Sequence, residues 1–296
     1  MQRRFIKPTL GSKVFDICNH VFMVLLCVAM IYPIFYLAML SLTASDVPLT
    51  KGYLIPPHVS LENYAQVMSN HYIGYGFVNA IRRTLVGTVF SVAMMLLTAY
   101  PLSKKYFPSR RFWTGFVVFT MFFSGGMIPT YLTNSQVLGL DGSFWVLILP
   151  GLINTYNMLI ARNFFMGLPE ELTESGRIDG AGELRILIAL ILPVSLPIIA
   201  TLALWSAVSH WNAWFDSMLY FSDPKQQVLQ LVLRRIVLEG SDDMMNLGSA
   251  ADEMITVNPE TIKAASTMVA TIPIVLVYPF VQKYFVKGMV VGSLKG

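Results

Sequence analysis

Between Pro169 and Pro197 the chain concentrates ionisable side chains: Glu170, Glu171, Glu174, Arg177, Asp179, Glu183 and Arg185. The chemistry they offer is electrostatic docking. Pro169 stands where a first helical turn tolerates a proline, and Glu170 and Glu171 follow where the helix dipole favours carboxylates. Glu174 and Arg177 are three apart and can pair on one helix face. Gly180 supplies a flexible corner. A second short helix can run from Gly182 into the apolar segment beyond. The pattern predicts a helix–turn–helix on a membrane face, of a kind that a soluble protein can hold.

Other chemistry is poorly supplied. No G-x-x-x-x-G-K-[ST] pattern is present, so the chain has no P-loop to cradle ATP phosphates. No G-x-S-x-G nucleophile elbow appears. His20, His58, His71 and His210 are scattered, without metal-ligand spacing. Cys18 and Cys27 are nine apart on a predicted helix and fall on roughly opposite faces, so neither a disulfide nor a metal site follows. No apolar segment carries an obvious carboxylate at its middle, where charge is costly and marks proton relays. That weighs against a proton-driven pump, although a sodium-coupled carrier could use backbone carbonyls. What remains is a conduit that takes its energy from elsewhere.

The elements that position the island are membrane spans. The chain has 296 residues, 55% hydrophobic and 13% charged, with a mean hydropathy of +0.59. Soluble domains carry roughly 25% charged residues, so this is a membrane protein. Its net charge of +4 needs no nucleic acid to explain it. Apolar runs of about 20 residues cross the bilayer. They fall at 17–42, 80–103, 112–133, 144–166, 188–214 and 264–286. The first is too long for a cleaved signal sequence. Residues 43–79 read as a turn-rich outer loop and 216–263 as an acidic, mixed outer segment. Prolines 33, 193 and 197 should bend the first and fifth spans. Without internal repeats, 1–296 reads as a single transmembrane domain, with 167–187 as a loop within it. The fold class is all-α, a polytopic bundle of about six transmembrane helices.

Positive charge sets the direction of insertion. With the N-terminus inside, the inner segments hold two thirds of the 21 Lys and Arg. Both termini and the polar island are then cytoplasmic. Arg82 and Arg83 lie just where the second span should start on the outside. Either they snorkel to outer headgroups or they face a path through the bundle and attract an acidic solute.

Parts of the island are more specific than its physics requires. Glu174-Ser175-Gly176, then Ile178-Asp179-Gly180-Ala181, then Ile191-Leu192-Pro193, resemble the EAA signature of permease subunits of bacterial ABC importers. The two alanines of that pattern are Ser175 and Gly176 here. Both are small, so close packing should survive, although Gly176 weakens a helix by up to about 1 kcal/mol. Leu61-Glu62-Asn63-Tyr64, Asn79, Ala99-Tyr100-Pro101-Leu102-Ser103 and Trp211-Asn212 are similar to segments of the carbohydrate-uptake, MalG-like branch. Thr261 to Ala265, Tyr278 to Phe285 and the tail Gly292 to Gly296 resemble its LplC-type polysaccharide-permease subgroup.

The resemblance implies a type I (MetI-like) importer fold in the bacterial cytoplasmic (inner) membrane. It implies a second homologous permease subunit, two ATPase subunits that bind ATP and Mg, and an extracytoplasmic solute-binding protein. The chain itself would bind no cofactor and catalyse nothing. The cargo would be an oligosaccharide or polysaccharide fragment, alginate-like uronides included. Glu174, Ser175, Gly176, Asp179, Gly180 and Ala181 would couple to the ATPase, and Lys295 in the tail would reach toward it. For Glu174 the plainer alternative is a solvated charge paired with Arg177. Asn154, Tyr156, Trp211, Asn212, Arg82 and Arg83 are candidates for the substrate path, because sugars are held by aromatic faces and amides. Interface anchoring by Trp211 and helix capping by Asn212 are alternatives.

Overall fold

The computed structural model describes residues 10–44, 47, 55–238 and 258–293. In chain order its helices are α1 (Leu10–Ser41), α2 (Glu62–Ser69), α3 (His71–Ser103), α4 (Arg110–Phe122), α5 (Met127–Val137), α6 (Thr155–Met166), α7 (Glu171–Ile178), α8 (Glu183–Val194), α9 (Leu196–Asn212), α10 (Phe215–Tyr220), α11 (Leu229–Leu238) and α12 (Pro259–Ser293). Among the described residues there is no strand, only an isolated bridge between Thr43 and Val59. Membrane-spanning backbone has to satisfy its own polar groups, and helices do so.

Two helices, α1 and α3, are individually long and apolar enough to cross a membrane. Three bent pairs are long and apolar enough when each is taken as one segment: α4 with α5 at 113°, Phe144–Gly151 with α6 at 53°, and α8 with α9 at 87°. The 35-residue α12 has Pro273 and Pro279 inside it. The spans expected at 112–133 and 144–166 are therefore broken. Gly126, at φ +84°, starts α5. Pro150 and Gly151 end a pair of 3-10 turns before Asn154 caps α6. The bend at Ser195 lies between Pro193 and Pro197, as expected from prolines that cannot continue the ladder.

The described residues fall into two compact units, those within 1–69 and 240–269 and those within 70–239 and 270–296. In the first, Asn63 is fully buried and acts as a staple. Its amide nitrogen donates to the carbonyls of Ser41 and Thr43 at 3.0 and 2.8 Å, and its oxygen accepts from the Thr261 hydroxyl at 3.0 Å. Tyr64 and Ser41 share a hydroxyl hydrogen bond at 2.7 Å. From residue 10 to 36, α1 is exposed on every side despite its apolar sequence, as suits a helix bathed in lipid.

In the second unit α3 is the hub, packed against α6, α9 and α11. Met95, Ala99, Met158, Ala161, Ile186, Ile191 and Leu202 form its buried centre. α3 begins well before residue 80, capped by Asn70, whose side chain accepts from the Tyr72 amide. The region read as an outer loop thus contributes two helical turns and α2. The segment read as acidic and mixed supplies α11, which buries Leu229, Leu231, Val232, Leu233 and Ile236. Asn79 ties α3 to that region through the carbonyls of Lys225 and Gln227.

Candidate functional site

α7 ends in a six-to-one hydrogen bond from the Ala181 amide to the Gly176 carbonyl at 2.9 Å. A second bond runs from the Gly180 amide to the Arg177 carbonyl at 3.0 Å. Together these form the Schellman stop, which places the next residue after the cap in the left-handed region. That residue is Gly180, at φ +74°. The corner is therefore a defined turn. Glycine is needed there for its backbone conformation, because open space surrounds the position of its absent Cβ.

One face of α7 is fixed to the bundle. Thr173 and Gly176 are buried. A Cβ on Gly176 would come within 2.9 Å of Ile186 Cγ1 and Leu190 Cδ1, so α7 lies directly on α8. Lys104 donates to the Thr173 hydroxyl at 2.6 Å, and Lys105 pairs with Glu170 at 2.8 Å. Glu174, Ser175, Ile178, Asp179 and Gly180 are exposed, and Ala181 is half-buried.

The corner is strapped by charge. Arg177 donates to Glu183 Oε1 through Nε at 3.0 Å and through its terminal nitrogen at 2.7 Å. The guanidinium also lies 4.0 Å above the Tyr106 ring. The hydroxyls of Tyr100 and Tyr106 donate to Glu183 Oε2 at 2.9 and 3.0 Å. The partner expected for Arg177 was Glu174; the observed partner is Glu183, because the Schellman turn folds α8 back beside α7. Burial alone would raise the Glu183 pKa. The hydrogen bonds from Arg177, Tyr100 and Tyr106 outweigh it and hold the carboxyl below its ordinary value. Burial, then the bond to Glu183, raises the Tyr106 phenol. Burial lowers Lys104, with Glu183 opposing. The hydrogen bond from Lys105 lowers Glu170.

α8 carries this loop into the bundle. It widens into a π turn over Leu187–Ile191, just before Pro193, the kind of bulge that often marks a functional segment. Beyond the bend, α9 crosses α3 so closely that a Cβ on Gly87 would meet the His210 ring at 2.6–2.8 Å. His210 also lies 3.3 Å from the Ser91 hydroxyl.

Beside this crossing is a cavity of about 460 Å³, lined by Arg83, Asn134, His210, Asp216 and Tyr220 among others. Arg83 is buried and makes a two-pronged pair with Asp216, Nη1 to Oδ1 at 2.8 Å and Nη2 to Oδ2, with a further bond to the Ala213 carbonyl at 3.3 Å. Asn134 donates to the Tyr220 hydroxyl at 2.9 Å. Arg82 is exposed and sits 4.1 Å over the Phe144 ring. Joint snorkelling of the arginine pair does not occur: Arg83 turns inward to Asp216.

The other path candidates do not line this cavity. Asn154 caps α6 by accepting from the Asn157 amide at 3.0 Å, and Tyr156 is exposed. Trp211 is buried edge-on to Phe77 and donates to the Ala270 carbonyl at 3.2 Å, so it is no interface anchor. Asn212 donates to the Val208 carbonyl at 2.9 Å, closing the last turn of α9. Lys295 and residues 239–257 of the acidic outer segment lie outside the described residues. Asp216, Asn134 and Tyr220 were not singled out from the sequence. Only Asp216 carried a signal, a lone carboxylate two residues beyond the aromatic end of the fifth span.

Comparison with known proteins supplies the context. The family described as "Binding-protein-dependent transport system inner membrane component" matches residues 9–291. The polygalacturonan/rhamnogalacturonan transport system permease protein YtcP of Bacillus subtilis (strain 168) is 40% identical, over 96% of this chain and 99% of YtcP. Protein LplC of the same organism is also 40% identical, over 97% of each chain. Among solved structures, a chain of a bacterial ABC transporter involved in the import of the acidic polysaccharide alginate superposes with a TM-score of 0.85 at 29% identity. That match covers 94% of this chain and 98% of the other.

Proposed function

Since the chain belongs to the family of inner membrane components of binding-protein-dependent transport systems, we propose that it forms one half of a paired channel in a type I ABC importer of oligosaccharides or polysaccharide fragments. A second homologous permease completes the channel. Two ATPase subunits bind ATP and Mg and hydrolyse the nucleotide, and an extracytoplasmic protein delivers the cargo. This chain performs no catalysis. Both termini and the α7–α8 loop face the cytoplasm, a reading supported by the excess of Lys and Arg on that side.

The observation that carries the proposal is the two-faced α7. Its inner face rests on α8 through Gly176 and is tied to Lys104 through Thr173, while Glu174, Ser175, Ile178 and Asp179 are exposed. A soluble subunit gripping the outer face moves α7. Gly180, Ala181 and the Arg177–Glu183 strap pass that displacement to α8. The bend at Ser195 turns it into a swing of α9 against α3, beside the cavity. That is rigid-body alternating access. Lys295 extends the contact from the tail.

The cargo class rests on the relatives. YtcP is named for polygalacturonan and rhamnogalacturonan, and the structural neighbour imports an acidic polysaccharide. Arg83 suits a carboxylate-bearing glycan, with Asp216 covering the guanidinium until a cargo carboxylate competes for it. Of the other path candidates, Asn154, Trp211 and Asn212 fix the ends and packing of α6 and α9 without lining the cavity. The test is ATPase activity of the assembled complex with its binding protein. Oligo-uronides should stimulate it and neutral oligosaccharides of equal length should not; the reverse order would remove the acidic-cargo reading.

A further inference from the structure

At the end of α3 nearest α7, a second cavity of about 650 Å³ is lined by Lys105, Arg110, Arg111 and Arg162, with Ser109 and Thr114. We infer that this cavity is a binding site for the phosphate of an anionic phospholipid, whose acyl chain lies along the aromatic face of α4.

The charge there is unbalanced. Lys105 is neutralised by Glu170 at 2.8 Å. The three arginines have no carboxylate within ion-pair distance among the described residues. Arg162 is held by the Leu102 carbonyl, to which its Nε donates at 2.9 Å, and makes a longer contact to Asn163 Oδ1 at 3.5 Å. Arg110 reaches only the Met166 sulfur at 3.9 Å. Three guanidinium groups around one cavity repel one another unless an anion sits between them, and phosphate fits their forked donors. Arg110 and Arg111 also occupy the first turn of α4, where the dipole disfavours cations. That turn holds no acidic side chain, and Ser109 makes no side-chain cap. The Thr114 hydroxyl, on the same wall, is buried without a partner among the described residues.

The class of ligand follows from what adjoins the cavity. Phe112, Trp113 and Phe116 are exposed and packed on one another, with ring centroids 5.3 to 6.5 Å apart. A preassembled apolar wall beginning at the arginines matches an amphiphile, with its phosphate at the membrane surface and its chain below. A soluble anion would have no use for that wall, and docking of an acidic protein face would call for polar side chains in its place. The inference needs α4 to enter a bilayer; it does not depend on transport direction or cargo.

The experiment uses the assembled complex in detergent, titrated with phosphatidylglycerol or phosphatidylcholine carrying brominated acyl chains, with tryptophan fluorescence as readout. Brominated phosphatidylglycerol should quench at lower concentration than brominated phosphatidylcholine, and Trp113→Phe should remove that component. Arg111→Gln and Arg110→Gln should each weaken the preference about fivefold. Arg111 has no partner among the described residues, so its loss leaves the fold intact. Equal quenching by both headgroups overturns the inference. So does stabilisation of the wild type, and not of the variants, by orthophosphate without any headgroup preference, which would assign the arginines to a soluble phosphate. Variants that keep the headgroup preference but release the soluble ATPase subunit would assign them to a protein face and equally overturn it.

Discussion

Arg177 and Glu183 close the corner at Gly180 from its two sides, the guanidinium lying 2.7 Å from the carboxylate across the turn between α7 and α8. They are six positions apart in sequence, on different sides of any single helix, so only the turn brings them together. The pair reports that the turn is formed. The Tyr106 ring lies under the guanidinium, and the hydroxyls of Tyr106 and Tyr100 donate to the same carboxylate.

The corner should weaken in acid. Glu183 has a folded pKa below its ordinary value of 4.5. A depressed carboxyl contributes stability that is complete above the unfolded value and is lost as pH falls through the folded one. Proteolysis within 178–184 of the solubilised complex should therefore accelerate below about pH 4.5. Glu183→Gln should make cleavage fast at neutral pH and nearly independent of acid. An unchanged acid limb in the variant would remove Glu183 as its cause.

Arg83 and Asp216 should be strongly coupled. Arg83 is nine-tenths or more buried, and removing its partner leaves a charge without compensation. Such losses cost about 3–5 kcal/mol. Asp216→Asn should therefore lower the melting temperature of the complex sharply, and Arg83→Gln in the same chain should restore part of it. Additive losses in the double variant would show that the two side chains act independently.

The crossing of α3 and α9 should reject a single methyl. Gly87→Ala would place a carbon against the rigid His210 ring. Overpacking of this kind costs about 1–3 kcal/mol. Combining it with His210→Ala should relieve the clash, which thermal melting would reveal. Equal melting of wild type and Gly87→Ala would mean that the helices move apart freely at this point.

Much of this was legible in the sequence, for physical reasons. Low charge and long apolar runs gave a membrane helix bundle. The carboxylates placed the start of α7, although Pro169 falls before its cap Glu170 and not in the first turn, and Gly180 marked its stop. What escaped reading was set by tertiary contacts. The partner of Arg177 depends on how the chain folds back after the Schellman turn. α11 is short and sits in a segment made polar overall by its neighbours, so its burial could not be read from composition. The broken spans contain enough apolar residues to look continuous, because hydropathy does not register Gly126 at positive φ. For Arg83 the sequence left headgroup snorkelling and a path-facing role both open, because its partner Asp216 lies 133 residues away.

The central claim is that force on α7 is transmitted through a rigid corner at Gly180. The most direct measurement compares glycan uptake with ATPase activity in Gly180→Arg. Non-glycine residues in the left-handed region cost roughly 1–2 kcal/mol, enough to spoil the turn while the spans insert. The account predicts a complex that assembles in the membrane and hydrolyses ATP at a rate no longer raised by cargo, with uptake abolished. Normal uptake together with cargo-stimulated hydrolysis would contradict it.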